Sequence, residues 1–306
     1  ASFFACLVML TIKLLQVGNP LAYTDHLIPP KTVRGARTGA RAAPHLIAAL
    51  DHVSGVVLGQ NVVDAKSNEI PAVRDLLAGF DPADLHGCVV TVDAMHTQDD
   101  TAAAILAAGA HYVFTVKGNR PTLLKALKSL PWAKVPIGST LTDRSHGRHA
   151  TRTIKVIDVP ALPRWPQFTG VAQVAQLRRT VTRAGKKSVE VTYVITSAPY
   201  HQAPPATLAA WVKGHWAIEN QLHWVRDVTY DEDRSQVRTG AGPHVMASLR
   251  NTAIGLLRLA GWTNIAAALR HHARNPEGAI TCALNCGNPT YPGPFPCRPS
   301  TPSWNT

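Results

Sequence analysis

Two acidic residues, Asp93 and Glu219, stand where a carboxylate could hold a metal ion. Asp93 directly follows residues 88–92, a short apolar run typical of a fully buried central strand. A strand fixes the backbone while its end leaves the side chain open to solvent and substrate, so this position suits a metal ligand. An aspartate between a strand and a helix is also a common helix cap, and the local pattern leaves both interpretations open.

Glu219 lies inside residues 205–228, a segment with helical periodicity. Apolar or aromatic residues recur there at spacings of three and four, namely Leu208, Trp211, Ile218, Leu222 and Val225. His215 and His223 lie one turn to either side of Glu219, and Arg226 lies two turns along the same face. A carboxylate on such a half-buried face is costly unless it is paired or binds a cation. The segment is therefore a second candidate for the metal site.

Two other interpretations of this segment stay open. The periodicity by itself favours an ordinary amphipathic helix, on which Glu219 pairs with Arg226 or Lys213 at the surface. Alternatively, His215, Glu219 and His223 are spaced four apart and could form a zinc-binding face. Zinc peptidase helices place their glutamate beside the first histidine, so the zinc pattern fits loosely.

Several ordered segments between about residues 31 and 260 resemble the core of ISAs1-type transposases, within the IS4-like group of DDE transposases. They are residues 66–72, 89–95, 112–119, 146–152, 215–224, 227–228 and 232–233. The resemblance implies an α/β fold, a ribonuclease H-like mixed sheet flanked by helices, with a β-rich insertion before the last catalytic helix. It also implies metal-dependent cleavage and transfer of the DNA strands of an insertion sequence.

The resemblance makes Asp93 the second acid and Glu219 the third acid of the DDE triad. Such carboxylates hold two Mg²⁺ ions about 4 Å apart, for which Mn²⁺ can substitute, one activating the attacking oxygen and one stabilising the leaving oxygen. Carboxylate oxygens are ligands that suit Mg²⁺. The resemblance also places His215 and Arg226 where the wider group has residues that hold the DNA end.

The position of the first acid departs from the family pattern. ISAs1-type transposases carry an Asp-Gly-Lys-Thr-Leu-Arg-Gly segment there, and Pro29 stands in the place of its aspartate, followed by residues 30–35. The sequence before Lys31 does not resemble the family, for which a frameshift or truncation is the simplest account. We do not expect Asp25 to bind the metal, because it lies in the part of the sequence that does not resemble the family. Because a site short of one carboxylate should bind metal weakly, we expect little or no strand transfer.

The charge balance favours a polyanionic partner. Lysines and arginines number 31 against 19 aspartates and glutamates, a formal net charge of +12. Charge alone does not distinguish a DNA-binding protein from a protein with a solvated basic surface. Two groups of basic residues could contact phosphates. One group follows an expected strand and consists of Lys117, Arg120, Lys125 and Lys128, and the other lies in the insertion and consists of Arg144, Arg148 and Arg152. We expect DNA ends and target DNA as partners, with a homodimer pairing two ends.

The cysteines and the first residues bear on the compartment. Five cysteines are too few and too unevenly spaced for a disulfide framework, which favours the reducing bacterial cytoplasm, near the nucleoid. Residues 1–17 are apolar, but Lys13 lies inside the run and no clear cleavage site follows, so a signal peptide or membrane segment is not expected. We interpret this run as a poorly determined N-terminus, with a buried helix as the alternative.

The elements that must position these residues follow from apolar periodicity. We expect antiparallel strands over 45–50 and 55–63, buried strands over 88–92 and 112–116, and short β segments over 153–159, 171–177 and 189–195. Helices are expected over 65–80, 97–109, 205–228 and 245–259. The resulting division is an atypical segment (1–30), a first core part (31–120), a β-rich insertion (121–200), a second core part (201–274) and a loose tail (275–306).

Overall fold

The structure is a computed structural model and describes residues 25–28, 30–32, 45–63, 69–145, 148–159, 165, 167–215 and 218–285. For residues 25–28, 30–32, 145, 148, 219, 220 and 285 the description covers the backbone only. The predictions for residues 1–24 and 286–306, and that for Pro29, lie outside the described residues.

The described chain forms one ten-stranded mixed sheet with helices on its faces. Its strands are β1 (Asp25–Ile28), β2 (Pro30–Thr32), β3 (His45–Asp51), β4 (Val57–Val63), β5 (Val89–Val92), β6 (His111–Val116), β7 (Ser139–Ser145), β8 (Arg148–Asp158), β9 (Gln173–Arg183) and β10 (Lys186–Thr196). Its helices are α1 (Glu69–Ala78), α2 (Pro82–Leu85), α3 (Asp99–Ala107), α4 (Pro121–Ser129), α5 (Pro205–Gly214), α6 (Gly242–Leu259), α7 (Ile265–Arg274) and α8 (Pro276–Asn285).

The inner half of the sheet has the order β4-β3-β1-β5-β6. Strand β3 is antiparallel to both β4 and β1, whereas β5 lies parallel to β1 on one side and to β6 on the other. This is a mixed sheet flanked by helices, as expected from the resemblance, and the α/β prediction is confirmed. Parallel strands need crossover connections, and α3 supplies the one between β5 and β6.

Alternating side chains of the inner strands bury against two helical layers. Val90 and Val92 of β5, with Phe114 of β6, face a core cluster to which α1, α3 and α4 contribute. Val89 and Val113 face the other layer, where α5 contributes Leu208 and Trp211. All four residues of β5 are buried, as the continuous apolar run predicts.

The outer half of the sheet consists of the predicted β-rich segment. Two long antiparallel hairpins, β7–β8 and β9–β10, join at the β8–β9 pairing. They are hydrogen-bonded to the inner half because β10 pairs antiparallel with β6, from Tyr193↔Val116 to Thr196↔Val113. The insertion thus extends the core sheet, with Val194 and Ile195 buried on its two faces.

The segment expected as one helix over 205–228 is wound in three pieces. Helix α5 ends at Gly214, and two π-helical turns follow, Glu219–His223 and Val225–Thr229. The apolar residues of the predicted periodicity are buried, as expected: Leu208, Trp211, Ile218, Leu222 and Val225. The periodicity therefore identified the buried face but not the winding.

The expectation of a loose tail from residue 275 is wrong for its first residues. Helix α8 occupies Pro276–Asn285, and Cys282 is buried against Ala260 at the end of α6. A proline at the first helical position is favourable because its missing N–H has no partner there in any helix. No helix among the described residues is long and apolar enough to cross a bilayer.

Candidate active site

Asp93 lies at the carboxyl end of β5, between the strand and a single 3₁₀ turn, Ala94–His96. One carboxylate oxygen accepts a hydrogen bond from the Ala94 backbone N–H at 2.7 Å, so the residue caps this turn. The same oxygen lies 3.9 Å from Nζ of Lys117, and the Asp93 side chain is 50% exposed. Asp93 is therefore fixed by the backbone and open to solvent, and it fulfils the capping role as well.

The loop after β6 meets Asp93 at the same edge of the sheet. Parallel neighbours such as β5 and β6 place their carboxyl ends side by side. Asn119 donates from Nδ2 to the Ala94 carbonyl oxygen at 2.6 Å, which ties this loop to the turn after Asp93. Lys117 in the same loop is 57% exposed. A cation and a carboxylate thus share an accessible edge.

The register of β1 against β5 bears on the expected position of the first acid. The two strands are paired in parallel from Asp25↔Val89 to Ile28↔Val92. Pro29 follows β1 in the sequence, and Asp93 follows β5. The resemblance assigns the first two acids of the triad to these same two positions. Asp25 itself pairs with the start of β5, at the far end of the strand from Asp93.

The segment that carries Glu219 is held against the sheet on both sides of that residue. His215 Nδ1 lies 3.4 Å from Oγ1 of Thr91, a residue of β5 two positions before Asp93. Ile218 and Leu222 are buried in a cluster with Ala48 and Leu50 of β3. The structure thus brings the start of this segment to the strand that ends at Asp93. The side chain of Glu219 lies outside the described residues.

With this geometry in place, comparison with known proteins identifies the family. The sequence matches the family described as Transposase DDE domain over residues 25–256. The chain belongs to this family.

Curated relatives of the DDE transposase chain are bacterial. This chain is 34% identical over 247 residues to "Putative protein YbfL" of Escherichia coli K12, and the matched region covers 75% of this chain and 63% of that protein. It is 33% identical over 247 residues to "H repeat-associated putative transposase YhhI" of the same strain, with the same coverage of 75% and 63%. The chain therefore spans less than two thirds of the length of these relatives.

A solved structure also resembles this DDE domain weakly. It is the cryo-EM structure of a piggyBac transposase synaptic complex with hairpin DNA, matched with a TM-score of 0.37 and 10% sequence identity. The match covers 86% of this chain and 57% of that one.

Arg226, predicted to contact DNA, lies in the interior of the DDE domain. Its side chain is 1% exposed, and Nη2 lies 2.8 Å from Oε2 of Glu232, whose side chain is 0% exposed. Glu232 also accepts from Nη1 of Arg250 at 3.1 Å. A direct contact between Arg226 and DNA would require this cluster to open, so the burial favours a structural role for Arg226.

The cluster around Glu232 also reaches the edge of the sheet. Arg226 Nη1 lies 3.5 Å from Oδ1 of Asn251, and Asn251 donates to Gln60 of β4 at 2.7 Å. It therefore connects the second π-helical turn, α6 and the sheet. π-Helical turns are rare and frequently occur at functional sites. Sequence reasoning assigned no role to Glu232, although this residue lies in a segment that resembles the family.

His96 is a second residue that sequence reasoning missed. It is fully buried three positions after Asp93, and neither ring nitrogen has a hydrogen-bond partner among the described residues. Burial lowers the pKa of His96 to about 4, and the Asp93 carboxylate opposes only part of that shift. Its ring is therefore neutral near pH 7. The apolar pattern around Met95 gave no signal that the side chain would turn inward.

The remaining predicted basic residues differ in their accessibility. Arg120 is engaged with Asp99 at 2.7 Å and lies over the Phe168 ring, so it holds the start of α3 and α4 together. Burial alone would raise the pKa of Asp99, but hydrogen bonds from Thr169 and Arg120 hold it below its usual value. Arg148 opens β8, and its side chain lies outside the described residues.

The donor chemistry of the site fits a hard divalent cation. Asp93 offers a half-exposed carboxylate, and oxygen ligands of this kind suit Mg²⁺. Within the described residues, no three histidine, cysteine, aspartate or glutamate side chains gather closely enough to hold a metal ion. His223, a ligand in the zinc interpretation, is buried at 8% exposure, and His215 contacts Thr91.

Proposed function

We propose that this chain is the catalytic part of an ISAs1-group transposase that cuts the DNA strands at the ends of an insertion sequence and joins them to target DNA. The observation that carries the proposal is the family match over residues 25–256, which includes both Asp93 and Glu219. The position of Asp93 at an accessible strand end supports it. Two copies of the chain would pair two element ends in the bacterial cytoplasm.

Asp93 and Glu219 would hold the divalent metal, Mg²⁺ with Mn²⁺ as a substitute. When bound, the metal supplies activation of the attacking oxygen and stabilisation of the leaving one. In the first step water attacks a phosphodiester at the element end, and breaking the phosphorus–oxygen bond frees a 3′-hydroxyl. In the second step that hydroxyl attacks a phosphodiester of the target, so that a new phosphorus–oxygen bond joins element to target while the target strand's own phosphorus–oxygen bond breaks and its 3′-hydroxyl leaves.

The other residues of the site would position Asp93 and the DNA. The Ala94 N–H fixes one carboxylate oxygen of Asp93 through its hydrogen bond. Lys117, exposed and 3.9 Å from that oxygen, is placed to meet a phosphate brought to the site. His215 and Arg148 are further proposed DNA contacts. Arg226, buried with Glu232, would hold the π-helical segment that carries Glu219.

We further propose that this chain is a poorly active copy, because Pro29 supplies no carboxylate. The register supports this, since the pairing Ile28↔Val92 is followed in sequence by Pro29 and Asp93. A proline there leaves the metal with one fewer anionic ligand. Weak metal binding should then limit both cleavage and strand transfer.

Cleavage of a labelled duplex that carries the terminal inverted repeat tests the proposal. The unmodified chain should cut slowly or not at all in Mg²⁺, and Pro29→Asp should raise the rate. Adding Asp93→Asn or Glu219→Gln to Pro29→Asp should abolish the gain, because each removes a metal-binding carboxylate. Rapid cutting by the unmodified chain refutes the defect, and cutting that survives Asp93→Asn refutes the site.

A second candidate function is a DNA-binding remnant that occupies element ends without cutting them. The substitution at position 29 and the net charge of +12 favour it. Tight, specific end binding without cleavage, in both the unmodified chain and Pro29→Asp, would single it out. Rescue of cleavage by Pro29→Asp would instead show that the rest of the catalytic site is intact.

A further inference from the structure

One face of the outer half of the sheet is basic and rich in threonine. In three cross-strand rows that run from β7 to β10, the residues on this face pair in register. The rows are Arg144, His149, Thr182, Lys187; then Thr142, Thr151, Thr180, Val189; then Thr140, Thr153, Arg178, Val191. We call this surface the threonine face. It contains no acidic residue.

The opposite face of the same strands differs from the threonine face in its ion pairing and in the burial of its side chains. It carries Asp143 and Glu190, and Arg179 forms an ion pair with Glu190 at 3.5 Å. Ala150 on that face is 0% exposed. On the threonine face, by contrast, Val189 and Val191 are 47% and 45% exposed. Its cations Arg144, Arg178 and Lys187 are exposed and form no ion pair within the described part of the chain.

The threonine face projects beyond the edge of the sheet where Asp93 lies. Strand β10 pairs with the end of β6 at Tyr193↔Val116, so its residues before Tyr193 extend past the carboxyl end of β6. That end is the edge shared by Asp93 and Lys117. In the row next to the core, Trp132 covers Tyr193, their ring centroids being 6.1 Å apart. Among the described residues of the three outer rows, Val189 and Val191 stay exposed.

The dimensions and chemistry of the face match a DNA backbone. Strands lie about 4.8 Å apart and alternate residues about 6.8 Å apart, so four strands and three rows span roughly 14 Å in each direction. A major groove is about 12 Å wide, so phosphates on both of its sides are within reach. Arginine, lysine and threonine are the side chains that bind phosphate oxygens without reading sequence.

We propose that the threonine face binds the phosphate backbone of duplex DNA, independently of its sequence. This proposal rests on the proposed transposase function, which supplies DNA as the partner. The face continues the side of the sheet covered by α1, α3 and α4, since Tyr193 pairs with Val116. His215 contacts Thr91 on the other side. The DNA on this face is therefore an additional segment, distinct from the strand at Asp93.

Binding of the full chain to an unrelated 30-base-pair duplex, measured by fluorescence anisotropy across a salt series, tests the proposal. Replacing Arg144, Arg178 and Lys187 by alanine should weaken binding about tenfold or more and lower the slope of log K against log salt by about 2 to 3. The matched control replaces Lys134, Arg270 and Arg274, three exposed cations on other elements. It should bind like the unmodified chain.

A neutral variant separates hydroxyl contacts from charge. Thr142→Val with Thr180→Val keeps shape and net charge, and it should weaken binding about threefold or more at an unchanged salt slope. Equal weakening by the two triple variants would overturn the proposal, because bulk charge would then explain it. A duplex RNA competitor that binds more tightly than DNA of equal length would also overturn it.

Cleavage assays distinguish the two proposals. They use the same variants with Pro29→Asp added to each. If the triple variant weakens DNA binding and none of the proteins cleaves DNA, the threonine face is supported as a DNA-binding surface and the proposed reaction is refuted. If the threonine-face triple variant cleaves DNA robustly and its binding is unchanged, the proposed DNA-binding surface is refuted and the proposed reaction is supported.

Discussion

The inner and outer halves of the sheet share one hydrogen-bonded ladder but place their charges in different environments. In the inner half, β5 is buried on both faces, and the adjoining layer encloses Arg226 and Glu232 at 1% and 0% exposure. In the outer half, β9 and β10 carry their charges in solvent, and Arg179 and Glu190 are 39% and 65% exposed. The same pair of residue types should therefore contribute very differently to stability in the two halves.

Breaking the buried pair is expected to have the largest effect. Arg226→Met removes one cationic partner of Glu232 in a fully buried site that Arg250 also reaches, and an incompletely compensated buried charge costs about 3–5 kcal/mol. Urea unfolding followed by circular dichroism measures the loss. Arg234→Met is the matched control, because Arg234 is 85% exposed and its pair with Asp231 spans 3.5 Å. Equal losses for the two variants would contradict the contrast between interior and surface.

The buried cluster also explains which parts of the helical region could be predicted. Ile218, Leu222 and Val225 follow a spacing that marks a buried face whatever the winding, and all three are buried. The π-helical turns depend on what surrounds the segment, including the contact of Arg226 with Glu232 and Asn251. No local spacing encodes such a contact. The surface pairing of Glu219 with Arg226, considered from the spacing, is replaced by the pair with Glu232.

The inner strands were predictable for a related reason. Residues 88–92 and 112–116 are continuous apolar runs, which signal strands buried on both faces. The attachment of the outer half could not be predicted, because the pairing of β10 with β6 joins residues about eighty positions apart. Long-range strand pairing leaves no mark on local alternation. For the site, motif resemblance predicts Asp93 and Glu219, and their metal-binding roles stay predictions, whereas the buried His96 gave no signal.

Acidification should destabilise the inner half through His96. Its pKa is about 4 in the folded protein and 6.5 when unfolded, because burial disfavours the charged ring. Between these values the unfolded chain binds more protons, so stability is complete above about pH 6.5 and falls as the pH drops towards 4. The loss at pH 5 is about 2 kcal/mol. Urea unfolding at pH 7 and pH 5 measures it.

The matched variant for this pH effect is His96→Leu, which cannot titrate. It should lose about 2 kcal/mol less than the unmodified chain between pH 7 and pH 5. His111 and His272 also have pKa values lowered mainly by burial, and both remain in the variant, so the difference isolates His96. An identical pH response in the two proteins would show that His96 is solvated or paired.

Asp93 stands at the boundary of the inner half, where capping and metal binding can be separated. Asp93→Ala removes the acceptor for the Ala94 N–H and should cost about 1 kcal/mol. Asp93→Asn retains an oxygen acceptor, so its thermal unfolding should match that of the unmodified chain, while in the Pro29→Asp background it should abolish the proposed metal-dependent cleavage. A large destabilisation by Asp93→Asn would mean that the negative charge itself holds the turn, through Lys117 or otherwise.

The smallest effect is expected for the exposed pair of the outer half. Arg179→Ala removes the partner of Glu190 across β9 and β10, at an N–O distance of 3.5 Å. Both side chains keep access to water, which solvates Glu190 once its partner is gone, so the cost should be below about 1 kcal/mol and should shrink further in salt. Urea unfolding at low and high salt measures both quantities. A loss that rivals that of Arg226→Met would show that the outer strands are enclosed by something, such as a second copy of the chain, because only desolvation gives an ion pair of this length such weight.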